Sequence, residues 1–122
     1  MRLLTGLALS AALFTVATAG PGIETLQGTY ELWEDFEGGK VCDVVLETER
    51  TIGGYVVRGD NRCMKAFKFS GEPHAWFIDR EGWATIVDAS RKILVRLKPG
   101  EDGSFHANRS AHRLENLNLT RK

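Results

Sequence analysis

Short runs of alternating apolar and polar residues, separated by glycine-bearing turns, constrain the fold of this chain most. No helical period in residues 20–122 continues beyond two turns, whereas a period of two recurs along that part of the sequence. The clearest run places Ile93, Val95 and Leu97 on one face, alternating with Arg96 and Lys98 on the other. Such a pattern predicts β-strands that each bury one face against a common core.

Eight strands are expected, at a spacing of about a dozen residues. They cover Tyr30–Leu32, Cys42–Leu46, Thr51–Arg58, Ala75–Ile78, Trp83–Val87, Ile93–Lys98, a run from Phe105 and a run through Leu117–Leu119. Met64–Glu72 is expected to be a short helical turn and an irregular link. The hairpins are short, and full closure removes exposed strand edges. The sequence therefore predicts an all-β, eight-stranded antiparallel up-and-down barrel of the lipocalin or calycin kind, and a sandwich is less consistent with it.

The first nineteen residues differ from the rest of the chain in composition. Thirteen of them are apolar and only Arg2 is charged, and Ala17-Thr18-Ala19 has the small-x-small pattern of a cleavage site. The apolar stretch is short for a membrane span, and Gly20-Pro21-Gly22 follows it. We therefore expect residues 1–19 to be a secretory signal peptide and the mature protein to be periplasmic and not membrane-bound.

Export determines how the two cysteines are interpreted. In an oxidising compartment an isolated pair such as Cys42 and Cys63 is most simply a disulfide, and a metal site is the weaker interpretation. A bridge closing a loop of about twenty residues stabilises a fold by about 3 kcal/mol. Loss of Arg2 with the signal peptide leaves 15 basic against 16 acidic residues. This near-neutral balance argues against nucleic-acid binding, which needs a clustered basic excess.

The sequence favours binding over catalysis. His74, His106 and His112 stand in predicted turns or outward positions, without metal-ligand spacing and without an adjacent nucleophile. The carboxylates lie on outward faces or in turns, and no cofactor is expected. Of the three tryptophans, Trp76 and Trp83 are assigned to the core. Trp33 is out of phase with the inward residues of its strand and is a candidate contact with a partner.

The order of several motifs resembles one protein family. Gly28-x-Tyr30-x-Leu32 is followed by Cys42-Asp43-Val44-x-Leu46, then by Gly59-Asp60-x-x-Cys63 and by Trp76. This order is similar to that of the AprI/Inh family, bacterial inhibitors of secreted zinc metalloproteases of the serralysin, or alkaline protease, type. The resemblance covers nearly the whole mature chain. It implies a periplasmic, disulfide-bonded, eight-stranded barrel that forms a 1:1 complex with a protease.

The resemblance also implies an inhibitory N-terminal arm, which enters the protease cleft with its amino group near the catalytic zinc. Here residues 20–27 would be the arm and residues 28–122 the inhibitor barrel. The arm residues that contact the protease would be Gly20, Pro21, Gly22, Ile23 and Glu24. Residues 20–27 would span at most about 26–29 Å when fully extended. The arm is shorter than in well-known members, begins Gly-Pro-Gly instead of with serine, and Tyr30 stands where the family usually has tryptophan.

Two other functions remain open from the sequence. A barrel of this size can carry a small ligand, which would require polar or small residues among the inward positions. The runs around Val44 and Val95 carry bulky residues instead and favour a filled interior. A module that binds other envelope proteins, with no protease target, is the third alternative.

Overall fold

A computed structural model describes residues 22–122, and the predicted signal peptide, Gly20 and Pro21 lie outside them. Eight antiparallel strands close a barrel in sequence order, which confirms the predicted fold class. The elements are a helical turn α1 (Ile23–Leu26), β1 (Gly28–Glu34), β2 (Val41–Thr51), β3 (Gly54–Gly59), α2 (Asn61–Met64), a 3-10 turn (Lys65–Phe67), β4 (Ala75–Ile78), β5 (Ala84–Val87), β6 (Ile93–Pro99), β7 (Phe105–Ala107), a 3-10 turn (Ser110–His112) and β8 (Leu117–Arg121).

The first strand closes the barrel. Leu32 of β1 lies opposite Cys42 of β2 on one side and opposite Leu119 of β8 on the other. Because neighbouring strands run in opposite directions, successive connections alternate between the two ends of the barrel. One end carries α1, the C-terminus and the β2–β3, β4–β5 and β6–β7 turns, and we call it the arm end. The other carries the remaining connections and Cys63, and we call it the disulfide end.

Inward-facing side chains fill the barrel. The core is a single cluster of buried apolar residues from all eight strands, and Tyr30, Leu32 and Leu119 within it are inaccessible to solvent. Trp76 is 1% exposed, as predicted, and its indole Nε1 donates a hydrogen bond of 2.9 Å to the carbonyl oxygen of Glu47. A core packed this way agrees with the bulky inward residues seen in the sequence.

Two predicted core positions are wrong: Ile93, at the start of β6, and Trp83, directly before the neighbouring strand β5. In β6, Val95 is opposite Ile86 while Ile93 is opposite Val87, so Leu94 is an extra residue in a β-bulge. The bulge reverses the alternation, and Ile93 is 53% exposed. Trp83 precedes β5 on the outer wall and is half-buried, with the Arg96 guanidinium carbon 4.4 Å from its ring centroid. A cation–π contact replaces the predicted burial.

The predicted disulfide is present between Cys42 and Cys63, with 6.0 Å between the Cα atoms. It joins the start of β2 to α2, which begins after Asp60. The Asp60 carboxylate accepts hydrogen bonds from the backbone N–H groups of Arg62 (2.9 Å) and Cys63 (3.3 Å) and so caps the turn. The helical turn expected within Met64–Glu72 corresponds to the 3-10 turn Lys65–Phe67, whereas α2, which the disulfide holds to the barrel, was not expected.

Within residues 22–122, no helix is both long enough and apolar enough to cross a membrane.

Candidate functional site: the anchored N-terminal turn

The chain enters the barrel through the short turn α1. Gly22 is extended, and its carbonyl oxygen accepts hydrogen bonds from both the N–H (3.0 Å) and the hydroxyl (2.8 Å) of Thr25. Ile23 and Leu26 are three residues apart and therefore share one face of the turn. Both are half-buried against the barrel core, while Glu24 is exposed. The turn is thus a folded element attached to the arm end of the barrel.

Arg121 and Tyr30 attach this turn to the barrel. The Arg121 guanidinium donates hydrogen bonds to the carbonyl oxygens of Thr25 (2.8 Å) and Gln27 (2.9 Å) and to the Tyr30 hydroxyl (2.8 Å). The Tyr30 hydroxyl donates in turn to the carbonyl oxygen of Leu26 at 2.6 Å. These bonds satisfy carbonyl groups at the end of α1 that have no partner within the turn. We call Arg121 and Tyr30 the anchor.

Gly28 makes room for the anchor. Its φ is +141°, a backbone conformation that residues with a Cβ rarely adopt, and a Cβ at this position would lie 2.6 Å from Nη1 of Arg121. The glycine therefore has two roles, since it turns the chain from α1 into β1 and leaves space for the arginine. The last residue closes the same end, because the N–H of Lys122 donates to the carbonyl oxygen of Thr29 at 2.9 Å.

Burial controls the protonation of Tyr30. The apolar surroundings raise the pKa of its hydroxyl above the usual value, and the nearby Arg121 cation offsets part of that rise. The phenol therefore remains neutral and keeps the proton that it donates to Leu26 throughout the neutral range. Arg121 supplies a fixed positive charge beside it, with the guanidinium carbon 4.8 Å from the ring centroid.

The structure places the predicted site residues in different parts of the molecule. Gly22, Ile23 and Glu24 lie in or next to α1, and Gly20 and Pro21 fall outside the described residues. Trp33 is half-buried on the outer wall, and its indole donates to the Thr120 hydroxyl at 3.1 Å. It is five positions beyond Gly28 along β1, or about 16 Å, so it is not part of the same cluster as the turn.

The sequence contains a signal for the anchor. Leu117, Leu119 and Arg121 share the inward phase of β8, and an arginine in that phase at a strand end must find polar partners at the barrel mouth. Gly28 directly before the first strand is the complementary signal. The contact with the turn itself could not be derived, because it depends on where α1 lies.

Residues 22–122 contain no group of three or more His, Cys, Asp or Glu side chains placed to bind a metal. His74 Nε2 lies 3.1 Å from the Thr51 hydroxyl, and His106 Nδ1 lies 2.8 Å from Oδ1 of Asn118. Both rings thus have a polar side chain of another strand as a partner, and His112 is exposed in the β7–β8 connection.

The fold and the site together define the class of protein. It is a small antiparallel β-barrel with a disulfide at one end and an anchored N-terminal extension at the other. The model of a family described as "Protease inhibitor Inh" matches residues 21–121, and the chain belongs to this family. The resemblance found in the sequence is thereby confirmed. Family membership places the chain among protease inhibitors.

A solved structure of low sequence identity has a similar fold. The chain is similar to the protein in "Crystal structure of a psychrophilic marine protease MP inhibitor", with 16% sequence identity and a TM-score of 0.64. The alignment covers 82% of this chain and 98% of that one. At this identity the likeness establishes the fold. No curated protein matches the chain significantly.

Proposed function

We propose that this protein is an exported, periplasmic inhibitor of a secreted zinc metalloprotease of the serralysin type, which it binds 1:1 through its N-terminal arm. The observation that carries the proposal is the anchored turn. Arg121 and Tyr30 hold the residues that end the arm, so the residues before Ile23 leave the barrel from a fixed point. A preorganised arm loses less conformational entropy when it enters a cleft than a free terminus does.

The anchored turn changes the expected reach of the arm. If cleavage follows Ala19, the residues that precede α1 are Gly20, Pro21 and Gly22. Three extended residues span about 10 Å, compared with the 26–29 Å estimated for residues 20–27 in an extended conformation. The proposal therefore requires the arm end of the barrel to approach the rim of the protease cleft closely.

The chemistry of the mature N-terminus supports this mode of binding. An α-amino group has a reference pKa of about 7.7–8, so a neutral fraction exists near pH 7 that can act as a nitrogen ligand. Binding to the zinc of the protease would favour that neutral form and release a proton. Pro21 fixes one φ angle in the arm and lowers the entropy that the arm loses on binding.

The test uses the mature protein (residues 20–122) and a serralysin-type protease. Removal of Gly20 and Pro21 leaves Gly22, α1 and its anchor in place and should raise the inhibition constant by orders of magnitude. Acetylation of the Gly20 amino group should weaken inhibition in the same direction, because an amide nitrogen is a poor zinc ligand. Ala substitution of Glu37, exposed at the disulfide end, is the matched control and should leave inhibition unchanged. Equal potency of the shortened and full-length proteins would disprove the arm mechanism.

A further inference from the structure

A groove runs along the outer wall of the barrel, between β6 and the connection from β7 to β8. It has a volume of about 520 Å³, and apolar side chains that line it include Phe69, Leu94 and Leu114. None of the residues that line it is acidic, whereas Lys68, Arg96, Arg109 and His112 are basic. Of these four, Arg96 is ion-paired with Asp79. A mainly apolar, positively charged groove is suited to a ligand that combines apolar and acidic groups.

One wall of the groove is an open strand edge. The only β6–β7 pairs are Lys98 with His106 and Pro99 with Phe105, and Gly100 donates to the carbonyl oxygen of Ser104 at 2.7 Å. In a strand, the backbone N–H and C=O groups of every second residue point towards the same neighbouring strand. Those of Arg96 therefore point towards β7, as those of Lys98 do. Strand β7 ends at Ala107, and no residue in 22–122 pairs with the backbone of Arg96 on that side.

Arg109 brings a buried cation to the groove. The residue is only 7% exposed, and its side chain donates to the carbonyl oxygens of Glu115 (Nε, 2.7 Å) and Phe67 (Nη1, 2.7 Å). Nη2 has no hydrogen-bond partner, and no carboxylate forms an ion pair with the guanidinium, within the part of the chain that the structure describes. Glu34 and Glu115 act on this buried charge only through space, without an ion pair, and an incoming carboxylate would lower the cost of burial further.

We propose that this groove binds an extended, acidic segment of a partner protein, which adds to β6 as a strand at Arg96 and directs a carboxylate towards Arg109. Backbone hydrogen bonds to an open edge favour a peptide over a lipid or a small acid, since only a peptide offers matching N–H and C=O groups. Apolar side chains of the same segment would cover Phe69 and Leu94. The groove is a site separate from the N-terminal turn and does not depend on the function proposed for that turn.

The test is a titration of the ¹⁵N-labelled mature protein with acetyl-Val-Glu-Val-Glu-Val-amide, followed by NMR. We expect shifts of the Arg96 amide and of the Arg109 Nε–H resonance, and about tenfold weaker binding when both glutamates are replaced by glutamine. In a strand ladder, alternate peptide residues form the hydrogen bonds. The central valine belongs to one alternating set and the two glutamates belong to the other. N-methylation of one of these two sets must therefore abolish binding, and retention of binding by both methylated peptides would overturn the proposal.

Two further comparisons separate the alternatives. Lys68→Gln should weaken binding of the glutamate peptide, whereas Lys65→Gln, an exposed change outside the groove on the same connection, should not. Equal effects of the two substitutions would contradict a charged groove. Octanoate serves as a free carboxylate with an apolar tail. Shifts of the Arg96 amide with octanoate but not with the peptide would overturn strand addition, and the absence of any shift with the peptide would overturn it as well.

Discussion

Arg121 lies against Tyr30 at the arm end of the barrel, with its guanidinium carbon 4.8 Å from the ring centroid and one nitrogen 2.8 Å from the phenol oxygen. The two residues stand 91 positions apart in sequence and come from the first and last strands. Since those strands pair with each other to close the barrel, the same contact closes the barrel and holds the N-terminal turn. The orientation of the arm is therefore linked to the completion of the fold.

Substitution of Arg121 by methionine keeps the apolar stem and removes all three donated hydrogen bonds. We expect faster hydrogen exchange at Thr25 and Gln27, and a fall of about 1–2 kcal/mol in the free energy of unfolding. Urea unfolding and amide exchange measure the two effects separately. Arg80→Met is the matched control, since Arg80 is exposed and makes no side-chain hydrogen bond to the described residues. Unchanged exchange in α1 would show that Arg121 does not hold the turn.

Substitution of Gly28 by alanine tests the space beside the anchor. The new Cβ would meet Nη1 of Arg121 at 2.6 Å and would also occupy a φ that disfavours side chains, so we expect a loss of about 1–3 kcal/mol. Gly38→Ala separates the two causes, because Gly38 also has a positive φ but no atom within 4 Å of the added Cβ. In the Arg121→Met background the Gly28 substitution should cost less. Additive free energies in this double-mutant cycle would contradict the steric contact.

The fold followed from local patterns, but two details depended on neighbouring strands. The alternation of inward residues and the turn glycines sufficed to predict all eight strands and their order in a barrel. The exposure of Ile93 did not follow, because a bulge depends on the register with β5 and not on the residues of β6 alone. Trp83 was assigned to the core for its size, whereas Arg96 on the adjacent strand provides a partner on the outer wall.

The candidate site was less accessible to sequence reasoning than the fold. Residues 20–27 were expected to form an arm because of a family resemblance, and no pattern in them predicted a docked helical turn. Ile23 and Leu26 have helical spacing, but two apolar residues are too few for a periodicity argument. Packing against the barrel core, together with carbonyl groups satisfied by Arg121, stabilises a turn that would not be stable in isolation.

The pH dependence of stability should report on Tyr30. Its pKa is raised in the folded protein, so the unfolded chain releases the phenol proton at a lower pH than the folded chain does. The associated stability is fully present below pH 10 and is lost as the pH rises through the higher folded pKa. Free energies of unfolding measured from pH 8 to 11 should therefore fall more steeply for the native protein than for Tyr30→Phe. Tyr55→Phe, at the only other tyrosine, is the control, and equal slopes for native and Tyr30→Phe proteins would contradict the burial effect.

Reduction of the Cys42–Cys63 disulfide should affect stability and protease inhibition differently. Opening a link between residues 21 positions apart frees the unfolded chain and should lower the free energy of unfolding by about 3 kcal/mol. The bridge lies at the opposite end of the barrel from α1, and the anchor does not depend on it. At a temperature where the reduced barrel remains folded, we therefore expect the inhibition constant to be unchanged.

Urea unfolding with and without a phosphine reductant measures the loss of stability, and a protease assay in the same buffers measures inhibition. The Cys42→Ala/Cys63→Ala variant is the control, because a reductant should not change its stability. The activity of the metalloprotease alone is measured in the same reductant. If that activity falls, a direct measurement of inhibitor binding to the protease replaces the activity assay. Weaker binding by a reduced but folded protein would show that the disulfide end also takes part in binding the protease.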